Sequence, residues 1–162
     1  MIFEQVLAND ANRIDYVYNI IKQSGKDMFE NQGLIHWKNP YPKESIKQDC
    51  TQKKVFLIKQ GGEYVHTFQL EFVKKDNGRG TSPLEGLVSK FATLPEYSGQ
   101  GIGKQSIDYI ERICVENRVS TIKLDVYDKS KVAISFYKKR GFEVTNSKPT
   151  KHFKVYIMEK KL

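Results

Sequence analysis

The sequence predicts an α/β protein, a mixed sheet with helices packed over it. Three observations carry that expectation. Apolar residues alternate singly along some stretches, as at Ile122, Leu124 and Val126, and recur at helical spacing along others, as at Ile107, Ile110, Ile113 and Cys114. Glycine and proline punctuate the chain between the two kinds of stretch. Read in order, the elements run β-α-α-β-β-β-α-β-α-β-β, the alternation of a sheet covered by helices.

Ile2 to Leu7 reads as a short first strand. Asn9 or Asp10 caps a helix whose apolar positions are Ile14, Val17, Ile20 and Ile21, and Gly25 is expected to interrupt it. Pro40 and Pro42 break the chain around Tyr41, and Pro42-Lys43-Glu44 suits the opening of a short helix through Cys50. Val55 to Ile58 and Tyr64 to Val73 read as strands joined at Gly61-Gly62, with Tyr64, His66, Phe68, Leu70 and Phe72 on one face. Turn chemistry fills Lys74 to Glu85 through Asn77-Gly78, Gly80 and Ser82-Pro83. Gly86 to Leu94 is the next strand, stopped by Pro95. Gly99, Gly101 and Gly103 then lead into a helix carrying the Ile107–Cys114 stripe. After the strand Thr121 to Val126, a helix from about Ser130 to Arg140 is closed by Gly141. Phe142 to Val144 and Phe153 to Met158 are the closing strands.

Composition bounds the function. The 162 residues suit one domain spanning 1–162. No apolar run approaches the ~18 residues of a membrane span. Met1-Ile2-Phe3-Glu4-Gln5 lacks the basic start and apolar stretch of a secretory signal, so a soluble cytoplasmic protein is expected. Cys50 and Cys114 alone make neither a disulfide framework nor a zinc-ligand set, and no metal is expected. Lysine and arginine number 27 against 19 acids, a net charge of +8 that suits a polyanionic ligand or simply solubility. No stacking motif or basic strand with interleaved aromatics is present, so no nucleic acid and no membrane is expected as partner.

The sharpest local feature is Leu94-Pro95-Glu96-Tyr97-Ser98-Gly99-Gln100-Gly101-Ile102-Gly103-Lys104, between a strand and a helix. Glycines at alternate positions let the main chain turn tightly and present amides at a helix N-terminus, an arrangement that holds phosphate. A dinucleotide fingerprint would need glycine where Lys104 or Ser106 stands, and a P-loop would need glycine at Ser98 and Ser or Thr at Gln105. Both fail. Glycines alone would equally make a turn without a ligand.

Downstream stands Leu124-Asp125-Val126-Tyr127-Asp128-Lys129-Ser130-Lys131-Val132-Ala133-Ile134-Ser135-Phe136-Tyr137-Lys138-Lys139-Arg140-Gly141-Phe142. Together the two segments resemble the GNAT superfamily of acyl-CoA N-acyltransferases. The later segment matches that family's pattern at Leu124, Val126, Ala133, Phe136, Tyr137, Lys139, Gly141 and Phe142. It departs where Ser98 replaces the usual Gln or Arg and Ser130 the usual Asn.

The resemblance implies a GNAT-like fold and transfer of an acetyl group from acetyl-CoA to a primary amine of a small molecule or peptide, by direct attack in a ternary complex. Phe91, Ala92 and Thr93 would pair through their main chain with the pantetheine arm. The amides of Gly99, Gln100, Gly101, Ile102, Gly103 and Lys104 would hold the pyrophosphate, with Lys104 adding charge and Ser130 one hydrogen bond. A backbone amide at the end of that strand would polarise the thioester carbonyl. The strand holding Asp125 would splay away from Phe91-Ala92-Thr93 to make the gap where acyl group and acceptor meet.

From position alone Tyr137 is a helix aromatic packed beside Phe136. With the resemblance, its phenol is the acid that protonates the departing thiolate. Asp125 is the candidate base, on the strand face opposite Ile122, Leu124 and Val126. Glu85, Glu71, His66 and His36 are alternatives. Glu71 and Glu85 read equally as solvent-facing acids, and His66 as a packed strand residue. Trp37 suits either an acceptor-site wall or an anchor packing two helices, and acceptor loops are expected in the N-terminal half and at Ser147 to Phe153. Neither cysteine lies in a nucleophile motif, so no acyl-enzyme is expected. The other open reading is a non-catalytic acyl-CoA sensor or interaction module on the same fold, as monomer or homodimer.

Overall fold

The computed structural model describes residues 1–39, 41–75 and 83–162. The expected turns at Asn77-Gly78, Gly80 and Ser82, and the break at Pro40, lie outside them. The elements are β1 (Ile2–Val6), α1 (Ala11–Gln32), α2 (Lys43–Gln52), β2 (Lys54–Gln60), β3 (Glu63–Lys74), β4 (Leu84–Thr93), a 3-10 turn (Pro95–Tyr97), α3 (Ile102–Glu116), β5 (Val119–Tyr127), α4 (Lys131–Lys138), β6 (Glu143–Pro149) and β7 (Lys154–Lys161). The seven strands follow the hydrogen-bonded order β1-β2-β3-β4-β5-β7-β6. That is the mixed α/β architecture expected from the periodicities. The chain divides into two units, one of Met1–Leu70 with Lys90–Gln105, the other of Glu71–Ser89 with Ser106–Leu162.

In the first unit β1 and β2 are antiparallel, as are β2 and β3. The β2–β3 hairpin closes through Gly61 and Gly62, whose φ angles of 59° and 83° are those that a two-residue hairpin loop demands. Asp10 caps α1 by accepting from the Arg13 amide at 3.1 Å, and Gly33 ends it in the left-handed region. The apolar stripe of α1 meets Ile46 of α2, Val55 and Leu57 of β2 and Ala92 of β4 in one cluster. Each such side chain contributes roughly 1.5–3 kcal/mol when fully buried.

That burial explains why Gly25 does not interrupt α1. Glycine inside a helix costs only about 1 kcal/mol relative to alanine, far less than the stripe contributes. Gly25 is there for close approach: a Cβ would lie 2.5 Å from the carbonyl oxygen of Trp37.

In the second unit β4 and β5 are parallel from Leu84 opposite Val119 to Val88 opposite Leu124. β5 runs on against β7 to Tyr127, and β6 pairs antiparallel with β7. Ile107, Ile110 and Cys114 of α3 are buried, with Ile113 half-buried. α4 is shorter than expected, ending at Lys138, and Gly141 at φ 91° turns the chain so that Phe142 is buried. β6 and β7 extend beyond their apolar residues, since every side chain of β6 is exposed and its pairing rests on the main chain. Ser147 to Pro149 are therefore strand, and only 150–153 remain as the loop.

His66 of β3 is fully buried, its Nδ1 2.8 Å from Thr93 Oγ1 and its ring 4.5 Å from that of Phe91. It is a packed strand residue. Burial drives its pKa down to about 3, and burial likewise lowers that of His36 to about 4. The unfolded chain takes up these protons below about pH 6.5 while the folded chain refuses them. Stability is therefore full above about 6.5 and falls on acidification.

Two outcomes follow from this packing. Gly25→Ala should lower the melting temperature despite alanine's better helix propensity, because the opposing atom is backbone and cannot swing aside; a melt at or above the parent's would refute the close approach. Between pH 7 and 5, before ordinary carboxylates titrate, the parent's melting temperature should fall, and His66→Gln should show a shallower slope. An equally steep slope in that variant would place the loss elsewhere.

Candidate functional site

β4 changes character partway along. Its ladder with β5 ends at Val88, and two residues later Lys90 adopts φ 48°, a left-handed conformation uncommon for a residue with a Cβ. Such a residue inside a strand disrupts the local ladder and re-aims the groups beside it. Phe91, Ala92 and Thr93 follow at once. Ala92 is buried in the first unit's core, while Thr93 and Phe91 meet His66.

From Thr93 the chain enters the glycine turn. The Pro95–Tyr97 3-10 turn, which the sequence reading missed, puts the Tyr97 hydroxyl on Glu63. Gly99 and Gly101 have φ angles of 76° and 81°, and a Cβ on either would meet nothing within 4 Å. Their requirement for glycine is conformational. Gly103 differs from expectation: it sits inside the first turn of α3 with no left-handed angle, so two glycines, not three, shape the turn. The Gln100 side-chain amide (Nε2) donates to the Glu96 carbonyl at 3.3 Å. Ile102 is buried and roots the helix, and Lys104 is exposed.

Gln105 donates to the Gly101 carbonyl at 3.1 Å. The amides of Ile102, Gly103 and Lys104 lie ahead of that bond, at the positive end of the helix dipole. Exposed left-handed glycines followed by leading helix amides form a cradle suited to a diphosphate.

The second unit holds the other predicted residues. Tyr137 is 8% exposed, with ring centroids of Phe136 and Phe142 at 5.2 and 5.7 Å. Burial pushes its phenol well above the usual range, so it keeps its proton at any physiological pH. Ser130 occupies the N-cap of α4 and is buried, yet its hydroxyl makes no capping bond. Asp125 stands on the exposed face of β5 with Lys148 Nζ at 3.1 Å. Glu85 overturns the solvent-facing expectation. It is 7% exposed, with Lys123 Nζ 3.8 Å away, because its strand is flanked by the β5 ladder. Glu71 is half-buried.

Trp37 packs against the α1–α2 core cluster and the Gly25 backbone, which fits the anchor reading. Beside it is a group that sequence reasoning missed. Lys90 pairs with Asp49 of α2, both nearly buried, while the Gln69 side-chain amide donates to Asp49 Oδ2 at 3.0 Å and Lys90 Nζ lies 4.2 Å from the Tyr41 ring centroid. A signal existed. Gly86, Val88, Lys90 and Ala92 share one phase of an apolar strand, and only Lys90 carries a charge there. Among the described residues, no group of three or more His, Cys, Asp or Glu could hold a metal, and no helix is long and apolar enough to cross a membrane.

The chain is similar to known proteins in sequence and in fold. An S-alkylcysteine N-acetyltransferase of Bacillus subtilis (strain 168) is 24% identical over 105 residues, 62% of this chain and 57% of that protein, so the chain matches little more than half the relative's length. The ribosomal-protein-S18-alanine N-acetyltransferase of Escherichia coli superposes with TM-score 0.75 at 17% identity, covering 99% of this chain and 92% of the other. The PaiA N-acetyltransferase of Thermoplasma acidophilum, solved in complex with coenzyme A, gives TM-score 0.75 at 19% identity over the whole of both chains. These structures share the fold. A model of the acetyltransferase (GNAT) family matches residues 18–142, most of the chain and both segments that carry the glycine turn and Tyr137, and the protein is a member of that family.

Proposed function

We propose that the protein, acting as a single domain over residues 1–162, transfers an acetyl group from acetyl-CoA to a primary amine of a small molecule or peptide. The observation that carries this reading is the cradle of left-handed Gly99 and Gly101 with the leading amides of α3, directly continuous with the end of β4. It suits the diphosphate of coenzyme A. Structures of the same fold bind that molecule, the Thermoplasma acidophilum enzyme with coenzyme A and a GNAT family acetyltransferase of Elizabethkingia anophelis with acetyl-CoA.

In this reading the main chain of Phe91–Thr93 pairs with the pantetheine arm, and Lys104 and the Ser130 hydroxyl add polar contacts. The amide following Lys90 donates to the thioester oxygen as negative charge builds on it. The acceptor nitrogen forms the new C–N bond, its proton leaves to a base, and the C–S bond breaks. Asp125 is the proposed base, directly or through water. It already holds an ammonium, that of Lys148, for which an incoming amine would compete.

Tyr137 donates its hydrogen bond, and then its proton, to the departing sulfur. Coenzyme A thiol resembles cysteine, with a pKa near 8.5. A phenol raised by burial is a weaker acid than that thiol, so its main contribution is a hydrogen bond to the nascent thiolate, and a phenoxide formed by full transfer recovers its proton, through water, from the base that took one from the amine.

Two experiments test the reading. Gly101→Asp should lower acetyl-CoA affinity by calorimetry more than tenfold beyond Gly101→Ala, a difference of about 1.4 kcal/mol. The alanine variant reports the backbone strain alone, so equal affinities in the two folded variants would refute the phosphate cradle. Tyr137→Phe keeps the ring that packs α4 while removing the hydroxyl. Its acetyl-CoA affinity should be nearly unchanged while kcat falls by about 10²–10⁴. Parent-like turnover would make Tyr137 a core residue only, and tight acetyl-CoA binding with no turnover on a broad amine panel would favour a sensor.

A further inference from the structure

The least expected feature of the first unit is an ion pair sealed against the strand at its one left-handed residue. Lys90 is not glycine, yet it holds φ 48° in the middle of β4. Strained backbone of this kind persists only where the surroundings over-determine it. Here the surroundings are visible. The side chains of Lys90 and Asp49 are only 10% and 13% exposed, and their charged ends meet. Gln69, fully buried on β3, donates to Asp49 Oδ2 at 3.0 Å, which fixes the carboxylate from a second direction. The Tyr41 ring covers the ammonium at 4.2 Å.

Stability alone is a poor reason for such a pair. Removing two charges from water costs about as much as their attraction returns, and an apolar pair of similar size usually does as well. What the pair supplies instead is direction. The lysine is tied to α2 at a fixed point, so its main chain cannot relax into the regular extended conformation.

We infer that Asp49, Gln69 and Tyr41 are positioning residues for acyl transfer. They clamp the Lys90 side chain, and through it the left-handed backbone that aims the Phe91 amide at the thioester oxygen. This inference rests on the acetyltransferase reading above. It adds that the geometry of the oxyanion donor is held by a charge cluster on the α2 side of the strand.

The test combines steady-state kinetics with amide NMR on the intact chain. Asp49→Asn, nearly isosteric, and Lys90→Ala should lower kcat at least tenfold while the KM for acetyl-CoA changes less than threefold. Lys90→Gly should recover part of the loss relative to Lys90→Ala, because glycine occupies the left-handed region without a clamp; a merely stabilising lysine would give no such recovery. Tyr41→Leu, near the surface, keeps the test alive if the buried variants fold poorly, and should lower kcat about three- to tenfold. In the parent, the Phe91 amide resonance should shift on adding acetyl-CoA, and in Asp49→Asn that shift should shrink. A parent whose Phe91 amide ignores acetyl-CoA overturns both this inference and the acetyltransferase reading. A responsive parent, with Asp49→Asn and Tyr41→Leu variants that respond and turn over identically, overturns the clamp alone.

Discussion

A strand's main chain must find partners for every buried amide and carbonyl, and at β4 that constraint organises the site. Its ladder with β5 accounts for the chain up to Val88. At Lys90 the backbone turns left-handed, a conformation that interrupts a regular ladder. The proposed contacts with a pantetheine arm and a thioester, and the entry into the glycine turn, all lie just after that change. A regular strand through Thr93 would place none of them in the same way.

The turn obeys a related constraint. A helix begins with amides that its own carbonyls cannot reach. Most proteins cover them with a capping side chain. In α3 the approach is made instead by Gly99 and Gly101, which bring no side chain to the helix start. The helix is anchored from behind by Ile102, buried to 1% exposure, so the exposed amides rest on a rigid base. Lys104 is exposed at the same helix start and adds positive charge there.

Much of this was legible in the residues. The element order followed from period and punctuation, Gly99 and Gly101 stood out through their spacing, and Tyr137 only through the family resemblance. What escaped notice did so for physical reasons. Gly25 looks like an interruption because local propensity cannot see Trp37 arriving against the helix. β6 looks short because all seven of its residues are exposed, so no apolar periodicity marks a strand that pairs with β7 through its main chain. Lys90 gives no local hint of a left-handed angle, since the cause lies 41 residues away in Asp49. Glu85 reads as a surface acid until the neighbouring strand and Lys123 are in place.

The Gly61-Gly62 turn also bears on how the chain reaches this structure. It joins β2 to β3 with two residues, so that hairpin closes almost without loop entropy and can form in microseconds. β1 has the opposite problem. Ile2 pairs with Lys59 and Val6 with Val55, across the whole length of α1 and α2. Each doubling of loop length adds only about 0.6 kcal/mol, but the search must be completed before any contact rewards it. The sheet of the first unit thus joins one contact that is local in sequence, its glycine hairpin, to one that is long-range, its first strand.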